Sequence, residues 1–159
     1  AGVEFRYRND GKLFATQRAS TAPHSLEVPS RATKGRPDSI IAKPWGPWNW
    51  ALMTSSPERA ILELLDELPD NESFHQIDML MEGLTTLSPT RLQKLLADCR
   101  NVKVKRLFFF FADRHQHAWL KRLDRKAVDL GRGKRMLVKG GRYDAKYLIT
   151  VPGELDGVH

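Results

Sequence analysis

The sequence predicts an α+β fold. Strand-like patterns lie at its two ends, and three capped amphipathic segments lie between them. The expected architecture is a mixed or mainly antiparallel sheet from the N- and C-terminal segments, packed with about four helices from the middle. A length of 159 residues fits a single domain over 1–152, with 153–159 as a frayed tail. Within it, 1–53 reads as strands and a loop arm, 54–122 as the helical part and 130–152 as a basic hairpin.

Residues 3–18 open with Val3, Phe5 and Tyr7 alternating with Glu4, Arg6 and Arg8, the period of a half-buried strand. Asp10-Gly11 supplies the positive φ angles of a tight turn, so a hairpin is expected. Residues 19–38 are rich in Ser, Thr, Ala, Pro and charge without apolar period, and read as a loop. A short strand follows from Asp38 to Trp45. Trp45, Trp48 and Trp50 are expected to pack a small core beneath irregular backbone, with base stacking as the second reading.

Thr54 to Asp70 is the clearest helix. Ser55 and Glu58 have capping-box spacing; alternatively Ser56 caps and Pro57 takes the first helical position. Ala60, Ile61, Leu64, Leu65 and Leu68 form one stripe, and Pro69 stops it. A second helix starts near Ser73, with Phe74, Ile77, Leu80, Met81 and Leu84 inward. Ser88-Pro89 starts a third, with Leu92, Leu95, Leu96 and Cys99 inward. Cys99 is the only cysteine, which excludes an internal disulfide; it reads as a small buried apolar group in a reducing cytoplasm. Val102 and Val104 alternate with lysine like a strand start, but Leu107 to Phe111 runs on into the helix formers Ala112, Asp113 and Arg114, which favours a core helix. Arg135 to Val138 and Tyr147 to Val151 are β-prone, with Gly140-Gly141 as the expected turn between them.

The net charge of +7 is unevenly spread. Residues 1–53 carry +4, residues 54–100 carry −5 and residues 101–159 carry +8. A basic face attracts polyphosphates or an acidic protein. A sheet joining the chain ends would gather the two basic segments. The candidate binding residues are Lys103, Lys105, Arg106, Arg132, Lys134, Arg135, Lys139, Arg142 and Lys146, with a solvated edge as the plain alternative. The longest apolar run, Leu107 to Ala112, is six residues, too short for a membrane span, so no membrane partner is expected.

Catalytic motifs fail on their chemistry. Gly131, Gly133 and Lys134 suggest a phosphate loop, but Arg135 stands where Ser or Thr must hold a cation, and a strand-like segment follows instead of a helix. Two histidines at i and i+2, His115 and His117, do not share a helix face, so they and Asp113 read as polar residues exposed after a helix end. Ser55 and Ser56 are caps before they are nucleophiles. No catalytic residue, metal or cofactor is therefore expected.

The ordered segments SSPERAILELLDELP (55–69), FHQIDMLMEGLTTLSPTRLQKLLADCRNVKVKRLFFFFAD (74–113), HAWLKRLD (117–124) and DLGRGKRMLVKGGRYDAKYLITVP (129–152) resemble the C-terminal domain of the AbiEi family. These are antitoxins and transcriptional regulators of bacterial type IV toxin–antitoxin systems, linked to abortive phage infection. The resemblance spans roughly Val3 to Pro152. It implies an N-terminal winged helix-turn-helix that binds promoter DNA in the full-length protein, then an α/β domain that neutralises a nucleotidyltransferase-like toxin. No winged helix is legible ahead of the first hairpin, so the chain is expected to be the antitoxin domain of a longer protein or a short variant. A nucleic-acid-binding module using the basic face is the alternative, and a metal-dependent nuclease a more distant one.

Overall fold

The structure, a computed structural model, describes residues 12–15 and 38–156. Most of the hairpin expected over 3–18, and the loop after it, lie outside those residues.

Serine hydroxyls start three helices. The first, α1 (Pro57–Glu67), is capped by Ser56, whose Oγ accepts from the Arg59 amide, and Pro57 occupies the first turn. Ser56 wins over Ser55 because the capping-box partners are used elsewhere. Ser55 donates to Glu63 (2.8 Å). Glu58 accepts from the Ser88 amide (2.8 Å) and from Arg91 Nη1 (3.0 Å). Ser88 is the cap of α3 (Pro89–Asp98), so one carboxylate ties the starts of two helices, where the helix dipoles favour negative charge. Burial raises the Glu58 pKa, but the hydrogen bonds from Ser88 and Arg91 outweigh it and hold the group below the usual range.

Ser73 caps α2 (Phe74–Gly83), which buries Phe74, Ile77 and Met81. Leu80, expected inward, is 43% exposed. Asp78 takes the inward position instead, because Arg114 and His115 of α4 (Val102–His115) reach it.

The helix α4 begins at Val102, so the Val-Lys alternation is helical and not a strand. Asn101 caps it through the Lys103 amide (3.0 Å). Every residue from Val104 to Ala112 is buried. A helix apolar all round must be covered all round. Both α1 and α2 pack on α4, Phe74 meets Phe111 (centroids 6.3 Å), and Trp119 of the short 3-10 helix Ala118–Arg122 meets Phe108 (5.8 Å). Leu13 and Phe14 pair with the end of α3 through the Arg100 and Ala15 amides. Phe14 is buried beneath the Arg59 guanidinium, 4.7 Å from its ring centre. Cys99 is buried as expected, and burial pushes its thiol pKa up.

The described strands form two separate antiparallel pairs, not the joint sheet expected. The α+β class stands: strands come from both ends and four α-helices from the middle. In the first pair, β1 (Ile40–Trp45) runs against β2 (Trp50–Ser55), with Trp45 opposite Trp50. The Ser56 amide donates to Ser39 O (2.7 Å), clamping the base of this ribbon to α1. The tryptophans do not make a core: Trp45 is 47%, Trp48 73% and Trp50 59% exposed. The strands that carry them are exposed along most of their length, and Trp48 stacks on Trp50 (5.5 Å).

The second pair is β3 (Arg142–Asp144) with β4 (Ile149–Val151). Its turn lies at 145–148, not at Gly140-Gly141. Asp144 accepts from the Tyr147 amide (2.8 Å) and Leu148 takes a left-handed φ of 55°. Tyr147, Ile149 and Val151 form the buried face. Arg135 to Val138 is no strand, because the amides of Leu137 and Val138 go to Thr150 Oγ1 (2.8 and 3.1 Å) instead of a ladder. Only Arg135 bridges Ile149. Gly141 permits this fold-back: a Cβ there would lie 2.5 Å from the Val151 carbonyl oxygen. Gly141→Ala is therefore expected to destabilise the protein by about 2 kcal/mol or more. Thermal unfolding of the variant beside wild type checks this; an unchanged midpoint would contradict the close approach.

Candidate functional site

The nine candidate cations divide into inner and outer groups. Lys103 Nζ donates to Asp66 O (2.7 Å) and Leu68 O (2.6 Å), carbonyls that α1 leaves unpaired at its C-terminus. Lys105 is buried along α4. Arg106 is 1% exposed; its Nε donates to Leu130 O and its Nη1 to Gly133 O, both at 2.7 Å, with Leu148 O at 3.4 Å. Burial and the neighbouring Arg135 charge lower its pKa. These three were expected on a docking face. Lys103 and Arg106 turn inward because the end of α1 and the loop carbonyls need donors, and Lys105 is buried beside them on α4.

The outer group lies in the segment that Arg106 holds. Arg132, Lys134, Arg135, Lys139 and Arg142 are exposed, and no acidic residue stands between Leu130 and Arg142. Gly131 and Gly133 take φ of +62° and +81°, and the Asp129 carboxylate accepts from the Gly131 amide (2.8 Å), fixing the loop's entry. Lys134 Nζ lies 5.0 Å from the centre of the Tyr143 ring, a cation–π contact that orients it outward. The loop is thus a rigid strip of one sign. The N-terminal cations that were to join it lie mostly outside the described residues.

Lys146 belongs to a different cluster. It donates to Asp113 Oδ2 (2.5 Å), which also accepts from Tyr147 OH (2.5 Å) and Arg125 Nη1 (3.2 Å). Arg125 Nη2 bonds the other Asp113 oxygen, and Arg125 Nη1 also donates to Tyr147 OH (2.7 Å). The Arg125 guanidinium lies over the Phe109 ring (5.1 Å). Burial works against the Asp113 charge, but hydrogen bonds from Arg125, Lys146 and Tyr147 prevail and bring its pKa to about 2. Burial and the Asp113 carboxylate raise the Tyr147 pKa. Arg125 and Tyr147 were not singled out from sequence; they lie far along the chain from Asp113, and no local spacing announces the contact. A cavity of about 640 Å³ opens beside the cluster, lined by Asp113, Gln116, His117, Leu120, Lys121, Leu123, Arg125 and Lys146.

The stretch Asp113 to His117 is anchored, not exposed as expected. Arg114 pairs with Asp78 through both guanidinium nitrogens (3.0 and 2.9 Å), and His115 Nε2 shares the same carboxylate (2.8 Å). His117 Nε2 bonds Met81 O and Trp119 Nε1 donates to Leu84 O, both at 2.7 Å, around the end of α2. Among the described residues no group of three or more His, Cys, Asp or Glu is gathered to hold a metal ion. No helix among them is long and apolar enough to cross a membrane.

Asp113 gives a pH prediction. Its folded pKa, about 2, lies below the ordinary 3.8. Its contribution to stability is therefore present above pH ~4 and lost as pH falls through ~2, a difference of roughly 1–2 kcal/mol after allowance for partial exposure. Chemical denaturation across that range should show this acid limb in wild type, and a weaker one in Asp113→Asn. An identical limb in both proteins would contradict the assignment.

No curated protein and no solved structure matches the chain. A family model described as transcriptional regulator, AbiEi antitoxin, type IV TA system matches residues 36–152. That span runs from the base of the tryptophan ribbon through the capped helices to the end of the basic loop and its strands. The chain belongs to the AbiEi antitoxin family of type IV toxin–antitoxin transcriptional regulators.

Proposed function

We infer that this chain is the antitoxin domain of an abortive-infection system, opposing a nucleotidyltransferase-like toxin and forming part of a transcriptional autoregulator, with no catalytic activity of its own. Family membership supports the antitoxin and regulator role. The observation that carries the binding side is the exposed loop Arg132–Arg142, five cations without an intervening acid. Such a strip suits the phosphates of DNA, which positions a regulator on its operator without reading bases. Arg106 supports the loop from beneath, while Lys103 closes the end of α1 and Lys105 is buried, so none of the three contacts the ligand. Lys146 is committed to Asp113 and stands apart. The place of work is the cytoplasm, where both operator and toxin are found.

Two measurements test this reading. Co-expression with the toxin encoded beside it should restore growth, and failure of the full-length antitoxin to do so would remove the antitoxin assignment. Binding of the full-length protein to its own promoter should weaken steeply with salt. Changing Arg132, Lys134 and Arg135 to Ala should reduce the log–log salt slope by about 2–3. An unchanged slope would place the phosphate contacts elsewhere, and an acidic protein would then be the loop's partner.

A further inference from the structure

The cavity beside Asp113 has a second use for cations that the DNA reading leaves unexplained. It is an open cleft of about 640 Å³, in the size range of small-ligand sites. Its lining includes Lys121, Arg125 and Lys146, and Leu120 and Leu123 supply apolar lining. Asp113 is the single carboxylate in the lining, and its charge is already met by Arg125 and Lys146. The three basic groups outnumber it, leaving the cavity electropositive.

The donors are not exhausted. Lys146 spends one N–H on Asp113 and its side chain is 64% exposed. Arg125 binds Asp113 and Tyr147 through its terminal nitrogens, and its plane is fixed by that pair and by Phe109 beneath. Lys121 is an exposed ammonium at the rim. A fixed guanidinium flanked by two adjustable ammonium groups matches the needs of a phosphate monoester, which offers several acceptor oxygens and up to two negative charges. The leucines then face the body of the ligand, and Gln116, at the left-handed end of α4, adds an amide to the rim.

We propose that this cavity binds a phosphate-bearing small molecule of mononucleotide size, its phosphate held by Lys121, Arg125 and Lys146 and its ring or sugar lying on Leu120 and Leu123. The site is separate from the basic loop and does not depend on the DNA reading.

Calorimetry on the purified chain with adenosine monophosphate, pyrophosphate and a short single-stranded oligonucleotide tests it. The monophosphate should bind saturably and lose affinity with salt. Pyrophosphate should bind more weakly, because it leaves the leucines unused. Lys121→Ala, which touches no partner of Asp113, and the double change Lys121→Ala with Lys146→Ala should weaken binding by about tenfold or more. Thermal unfolding of the ligand-free Lys121→Ala variant should match wild type. The proposal is overturned if adenosine monophosphate does not bind at millimolar concentration, even if the oligonucleotide binds, or if binding is unchanged in the double variant. Pyrophosphate binding as tightly as the monophosphate overturns the nucleotide-sized assignment. Loss of binding on changing Arg132, Lys134 and Arg135 to Ala also overturns the proposal, since the phosphate would then lie on the loop.

Discussion

A buried guanidinium dictates the path of the C-terminal third of this protein. Arg106 sits in the buried stretch of α4, just ahead of Leu107 to Ala112, with 1% of its surface exposed. A charge so placed must find acceptors or unfold the helix that carries it. The acceptors are backbone carbonyls of Leu130, Gly133 and Leu148, which lie on both arms of the segment that wraps α4. Their capture draws the basic loop and the start of β4 onto one side of the helix. The Arg135 amide then bonds Leu148 O and the Thr150 amide bonds Arg135 O, so loop and strand close on each other. Among the described residues no carboxylate pairs with Arg106, so its positive charge lies beneath a basic surface.

The division of cations follows from that constraint. Several cations of α4 and the segment after it become internal donors: Lys103 closes α1, Arg114 joins α2, and Arg125 holds Asp113. The cations of the loop held by its backbone, from Arg132 to Arg142, are instead exposed. Gly131 and Gly133 let the chain expose its carbonyls to Arg106 while its side chains point away. Rigidity matters for recognition, since a pre-ordered strip loses less entropy when it meets a polyanion.

Much of the fold was legible because its signals are local. Serine caps at 56, 73 and 88 and the apolar stripes behind them fixed three helices within a residue or two. The β-prone stretch Tyr147 to Val151 holds the strand β4. What failed was decided by contacts distant in sequence. Leu80 lost its inward place to Asp78 because Arg114 lies more than 30 residues away. The tryptophans composed an exposed ribbon, although aromatic content alone suggested a core. The hairpin moved its turn from Gly140-Gly141 to 145–148 because a threonine side chain intercepted two amides. At the site, the outer cations from Arg132 to Arg142 were read from composition alone, but three cations of α4 carry the same composition and face inward. The Asp113 cluster drew on three separate stretches and had no signature in any one of them.

Amide hydrogen exchange on Arg106→Met tests the central dependence most directly. Methionine keeps most of the length and apolar packing of the stem while removing the donors. The account predicts that the amides of Arg135, Gly141 and Thr150 exchange about tenfold or more faster than in wild type, while those within α1 and α3 keep their protection. Equal protection of those three amides in both proteins would contradict it, since the loop would then hold its path without the guanidinium.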